Sequence, residues 1–157
     1  MDASAKAGAF LFWSDDMYRL KTSASFDSAH FLAGYEGKCA NIHGHRWKIE
    51  AEFSGNELVE DGTKRGMLID FGDIKSAVRT LADSFDHALI YEEGSLRAET
   101  VAALNAENFR LIAVPFRPTA ERFAEYFYLQ LSAQGLPVSS VAVYETPENC
   151  AIDEETP

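Results

Sequence analysis

The sequence predicts an α+β domain, an antiparallel four-stranded sheet with two helices. Two observations carry that expectation. From His43 to Ser54 the residues alternate, with His43, His45, Trp47, Ile49, Ala51 and Phe53 on one side and Arg46, Lys48, Glu50 and Glu52 on the other. Such alternation over a long run describes a strand with one buried face. Two other stretches, after Asp70 and after Pro118, space their apolar residues as a helix does.

Taken in order, the first strand is expected at Tyr18–Phe26, where Leu20, Thr22, Ala24 and Phe26 share a face. A glycine-bearing loop, Gly34 to Gly37, leads into the second strand at about His43–Ser54. Gly55 to Gly66 is polar and turn-rich, and order resumes at Met67-Leu68-Ile69. Asp70 is placed to cap a helix carrying Ile74, Ala77, Val78 and Leu81. Phe109–Val114 reads as the third strand. Pro118-Thr119-Ala120-Glu121 opens a second helix whose stripe is Phe123, Ala124, Phe127 and Leu131, and Gly135 followed by Pro137 ends it. Val138–Tyr144 is the fourth strand, and the chain closes on an acidic tail. No repeat or linker divides residues 18–157, which are read as one domain behind an N-terminal extension, residues 1–17. Exposed sheet edges favour association of several copies.

A chain of 157 residues is long enough for a real hydrophobic core. Its net charge of −11 argues against nucleic acid as a partner, because that binding rests on clustered Lys and Arg. A local basic pocket can still hold a small anion. No stretch approaches the roughly 18 consecutive apolar residues of a membrane span. The run Ala7-Gly8-Ala9-Phe10-Leu11-Phe12-Trp13 ends at Asp15-Asp16 without a cleavage pattern, so it reads as a leader or an oligomer-packing arm and not as a signal peptide. These features point to the cytoplasm. Two cysteines, Cys39 and Cys150, do not make a disulfide framework.

The four histidines are His30, His43, His45 and His87. Strand alternation puts His43 and His45 on one face, about 7 Å apart at the backbone, close enough to converge on one ion. His30, at the end of the preceding strand, supplies a third nitrogen if the two strands are neighbours. Three imidazoles with an open fourth position suit a catalytic zinc, although a His-x-His pair on a strand also occurs facing solvent or core. Cys39 lies four residues before His43. It is open to three readings: a base or nucleophile, a fourth ligand that closes the site, or a small buried hydrophobe. Asp86-His87 is a carboxylate–imidazole pair suited to proton transfer, or a cap followed by a surface histidine. Glu145 follows the last strand directly, at a strand end where a carboxylate can accept two hydrogen bonds from a guanidine-like edge or can simply be solvated.

Together these segments resemble one family. Phe26-Asp27-Ser28-Ala29-His30, Cys39-Ala40-Asn41-Ile42-His43-Gly44-His45, Asp70-Phe71, Asp86-His87, Pro118-Thr119-Ala120-Glu121 and Tyr144-Glu145-Thr146 follow the order of the 6-pyruvoyltetrahydropterin synthase and 6-carboxytetrahydropterin synthase family. The resemblance spans roughly residues 18 to 153. It implies the tunnelling fold, an antiparallel four-stranded sheet with two helices on one face, whose subunits assemble into a barrel, usually as a homohexamer built as a dimer of trimers. It implies a zinc ion held by His30, His43 and His45, and Cys39 as the proton-abstracting base with Asp86 and His87 as relay partners. Glu145 resembles the carboxylate that anchors the amino-pyrimidinone edge of a pterin, and Thr119 and Glu121 match the segment lining the pterin pocket.

Three residues stand between Cys39 and His43, as in the bacterial queuosine-pathway branch, whereas the animal enzymes carry five and a folate branch replaces the cysteine by glutamate. The implied reaction is conversion of 7,8-dihydroneopterin triphosphate to 6-carboxy-5,6,7,8-tetrahydropterin, acetaldehyde and triphosphate. The alternatives are release of 6-pyruvoyltetrahydropterin after triphosphate elimination, or a non-catalytic zinc-binding assembly protein of the same fold. Trp47 and Asp153 depart from the more usual tyrosines, and the insertion between His87 and Arg117 is longer than in the shortest members.

Overall fold

Two 13-residue strands, β1 (Tyr18–His30) and β2 (His43–Gly55), pair antiparallel along their whole length, from Tyr18 opposite Gly55 to His30 opposite His43. This computed structural model describes residues 17–154, and the expected N-terminal extension lies outside them except for Met17. The first strand runs four residues beyond its expected end at Phe26. Asp27 and Ser28 look like turn residues in sequence, but Ser28 is buried and its hydroxyl donates to the carbonyl of Phe85, so the polar side chain is satisfied inside the fold.

Helix α1 (Phe71–Phe85) follows, with the Asp70 carboxylate accepting from the Gly72 N–H at 2.7 Å as its cap. The remaining elements are β3 (Leu89–Glu92), α2 (Ala98–Ala106), β4 (Leu111–Val114), α3 (Ala120–Ala133), β5 (Val138–Thr146) and β6 (Asn149–Glu154). The sheet order is β4-β3-β1-β2-β5-β6.

Two sequence expectations need correction. The sheet has six strands, not four, and it is mixed, because β3 runs parallel to β1 and β4 parallel to β3. The cause lies in the segment after His87, which supplies β3, α2 and β4 as a crossover unit with strands of four residues. Such strands are too short for alternation to show, and β4 begins at Leu111, two residues after the expected Phe109. A third helix, α2, buries none of its residues, so it carries no apolar stripe to announce it. The acidic tail becomes β6, an edge strand paired with β5 from Ser140–Glu154 to Thr146–Asn149.

Both long helices cover one face of the sheet. Ile74, Val78, Ala82 and Phe85 of α1 and Phe123, Ala124, Phe127 and Leu131 of α3 are buried against Phe26, Trp47, Ile49, Ala51 and Phe53. Aromatic rings dominate the contact. Phe26 stacks parallel to Trp47 with centroids 6.1 Å apart, and Trp47 meets Phe123 edge-on at 5.1 Å. Helix α3 stops where Gly135 takes φ +75°, a left-handed turn that favours glycine. The other face of the central strands is charged, with Lys21 3.4 Å from Glu52, Lys48 3.0 Å from Glu50 and Arg46 3.4 Å from Asp27.

Candidate metal centre and active-site pocket

Register places the histidines. His30, the last residue of β1, faces His43, the first of β2, and His45 follows two positions later on the same face. Their rings meet, with centroids 4.5 Å apart for His30 and His43 and 4.9 Å apart for His43 and His45. Glu145, near the end of β5, points its Oε1 at them, 3.3 Å from His30 Nε2 and 3.5 Å from His45 Nε2. All four residues offer a ligand atom within 4.8 Å of one another.

Hydrogen bonds fix what these nitrogens are. His30 Nδ1 lies 2.8 Å from the Pro118 carbonyl and His43 Nδ1 lies 2.7 Å from the Asn41 carbonyl. A carbonyl oxygen only accepts, so each Nδ1 carries a proton, and in the neutral ring each Nε2 then presents a lone pair. Yet the two Nε2 atoms stand 3.1 Å apart. Two lone pairs at that distance repel unless a cation lies between them. His45 Nε2 is likewise buried without a hydrogen-bond partner. Tetrahedral zinc with bonds of about 2.0–2.1 Å sets its donors about 3.3 Å apart, and the separations of 3.1 Å between His30 and His43, 3.3 Å between His30 and Glu145 and 3.5 Å between His45 and Glu145 bracket that value. Burial, the largest cause, lowers the pKa of both His30 and His45, so the imidazoles are held neutral as a metal requires. Backbone carbonyls gripping the far ring nitrogens are the usual second layer of such a site. The donor set therefore fits a zinc ion. Trp47 forms its floor, edge-on to His30 at 4.9 Å and to His45 at 5.5 Å.

Beside the cluster lies a cavity of about 290 Å³ lined by Cys39, Thr119, Glu121, Glu145, Tyr35 and Cys150, among others. Four residues singled out in the sequence thus share one pocket, although they come from the loop after β1, the start of α3 and the end of β5. Cys39 sits in a 3-10 turn, Lys38–Ala40, whose carbonyl at Cys39 accepts from the Leu32 N–H at 2.9 Å. Arg117 steadies the same loop by donating from Nη2 to the Ala33 carbonyl at 2.8 Å. The Thr119 hydroxyl caps α3, accepting from the Arg122 N–H at 3.4 Å. Cys150 in this pocket was not foreseen. It stands opposite Tyr144 across the β5–β6 pair, and the acidic tail gave no sign of a strand that would bring it there.

Asp86 and His87 form the expected pair, 2.6 Å between carboxylate and Nδ1. The Asp86 carboxylate also accepts from the Asp27 N–H at 2.8 Å. That backbone bond first, and His87 second, hold the Asp86 carboxyl below its usual range. His87 adopts φ +52°, in the left-handed region. It lines a different cleft, about 660 Å³, with Ile42, Leu104, Phe109 and Leu111. Within one chain, then, Cys39 and His87 open onto separate clefts.

The sequence profile of the family described as 6-pyruvoyl tetrahydropterin synthase matches residues 19–156. A Haemophilus influenzae protein named 6-carboxy-5,6,7,8-tetrahydropterin synthase is 41% identical over 134 residues, covering 83% of this chain and 94% of that one. A Rickettsia felis protein of the same name is 31% identical over 144 residues, 87% of this chain and 99% of its own. Among solved structures, Plasmodium vivax 6-pyruvoyltetrahydropterin synthase superposes with a TM-score of 0.66 at 21% identity, covering 90% of this chain and 99% of that one. At that identity the likeness is one of fold. A mixed sheet backed by helices thus has its counterpart in a solved pterin synthase. The chain belongs to the 6-pyruvoyl tetrahydropterin synthase family.

Proposed function

We propose that this chain is a zinc-dependent carbon–carbon lyase that converts 7,8-dihydroneopterin triphosphate to 6-carboxy-5,6,7,8-tetrahydropterin, acetaldehyde and triphosphate. One observation carries the reading: three bare imidazole nitrogens and the Glu145 carboxylate converge beside a cavity that also holds Cys39, Thr119 and Glu121. Two relatives, 41% and 31% identical to the chain, carry the matching name.

Zinc, when bound, supplies Lewis acidity toward the hydroxyls of the substrate side chain, with no redox role. The protein's residues do the rest. Thr119, Glu121 and Glu145 line the space for the pterin ring, whose adjacent ring N–H and amino group match one carboxylate. Cys39, in the same cavity, takes the proton from the side-chain carbon. The Asp86–His87 pair opens onto another cleft, which His45 also borders, and we read its relay to Cys39 as one that crosses a boundary between copies. A homohexamer, working in the cytoplasm on the route to 7-deazapurines such as queuosine, is the assembly this reading needs.

Incubation of the purified, zinc-loaded protein with 7,8-dihydroneopterin triphosphate tests it. Acetaldehyde and 6-carboxytetrahydropterin are expected. Accumulation of 6-pyruvoyltetrahydropterin without acetaldehyde would move the chain to the 6-pyruvoyltetrahydropterin synthase activity, and unchanged substrate would leave a non-catalytic zinc-binding protein.

A further inference from the structure

The ladder between β2 and β5 starts at Lys48 opposite Tyr144, so residues 43–47 of β2 have no partner on that side within the ladder. Thr146 pairs with Asn149 of β6 instead, and Glu145 falls at the register shift between Tyr144 and Thr146 without a partner in that ladder. The sheet therefore splits beside the histidine cluster. A cleft of about 560 Å³ occupies the split, bordered by His45, Glu145, Arg46, Lys48, Tyr144 and Thr146, among others. His45 belongs to the helix-covered face of β2, whereas Arg46 and Lys48 belong to the charged face. The cleft thus joins the metal centre to the opposite side of the sheet. Glu145 borders both this cleft and the cavity of Cys39, and so links the two spaces.

The two cations are not spent on their neighbours. Arg46 offers five N–H donors, and among the described residues its one acidic contact is Asp27 at 3.4 Å, with three-quarters of the side chain exposed. Lys48 gives one of its three donors to Glu50 at 3.0 Å and lies 4.9 Å from the centre of the Tyr144 ring. In a chain of net charge −11, two basic side chains on the rim of a cleft that leads to the metal ligands form a local exception.

From this geometry we propose that Arg46 and Lys48 form an anion subsite that holds the phosphate chain of the substrate. The inference rests on the pterin reading above. A substrate with a flat ring, a short hydroxylated chain and a terminal phosphate chain has three parts in series. The molecule offers three regions in the same series: the Cys39 cavity, the histidine cluster, and the cationic cleft. A phosphate chain carries several charges and many acceptor oxygens, so it outcompetes the single carboxylates of Asp27 and Glu50 for the free donors. Once cleaved, it leaves on the charged face without crossing the pterin cavity.

The test compares two non-reactive ligands, neopterin and neopterin triphosphate, by fluorescence titration of the zinc-loaded protein. Wild type should prefer the phosphorylated ligand by at least about tenfold, and the preference should shrink as salt rises. The double variant Arg46→Gln with Lys48→Gln should bind neopterin as wild type does and lose most of that preference. An equal preference in wild type and variant, or none in wild type, would overturn the subsite. Titration with inorganic triphosphate reads the same cations without the pterin. If wild type binds triphosphate about tenfold more tightly than the double variant yet binds no pterin, the anion subsite stands and the pterin reading falls.

Discussion

At the scale of single residues, the lone pairs of His30 and His43 say most about the chemistry. Their protons are committed to the carbonyls of Pro118 and Asn41, so the close approach of the two Nε2 atoms has no hydrogen bond to explain it. Cys39 shares the adjoining cavity but stands outside the group of four that converges. Cys39→Ala is therefore expected to keep its metal and lose at least about a hundredfold in turnover, the range for a positioned acid–base group; loss of metal in that variant would show a sulfur ligand. Glu145 is the residue where the sequence reading and the geometry pull apart. Its resemblance is to a pterin anchor, yet Oε1 sits among the imidazoles. Glu145→Gln separates the roles. As an anchor it should weaken binding of a non-reactive pterin by about 2–4 kcal/mol with metal content unchanged. Metal loss with pterin affinity retained would make it a ligand. The histidines were legible because strand alternation and β1–β2 adjacency suffice to bring them together. The approach of Glu145 was not, since it depends on how β5 leaves β2 at the split.

Elements that the sequence made plain are those long enough to repeat a pattern. The β2 alternation, the α3 stripe and the Asp70 cap all stand as read. The two long helices and the central strands meet through aromatic rings, and Phe127 is fully buried among Phe26, Phe85 and Phe123. Phe127→Ala should cost about 3–5 kcal/mol in chemical denaturation, through lost burial and the cavity left behind. A cost below about 1 kcal/mol would mean that the helix packs loosely on the sheet. What could not be read is physical in origin. In β3 and β4, four residues give no period, and in α2 no residue is buried. For β6, an edge strand with acidic side chains reads as a solvated tail until its partner is known. Parallel pairing of β3 to β1 also depends on a long-range crossover that local pattern does not encode.

For the molecule as a whole, the separation of Cys39 from His87 is the feature with the widest consequence. Among the described residues, β4 and β6 are the edge strands of the sheet, and the two long helices pack on the face opposite the charged one. Both suit association with further copies of the chain. If the relay to Cys39 crosses between copies, mixed oligomers of Cys39→Ala and His87→Ala chains, refolded together, should regain part of the activity that each alone lacks. Mixtures that stay inactive would place the relay within one chain or remove His87 from the chemistry. The central claim is an open catalytic metal centre built by His30, His43 and His45. X-ray absorption at the zinc edge, with elemental analysis of the same sample, tests it most directly. The expected result is about one zinc per chain with imidazole nitrogens and a light oxygen or nitrogen donor, and no sulfur. A sulfur shell at about 2.3 Å, or protein free of metal after purification in zinc, would contradict it.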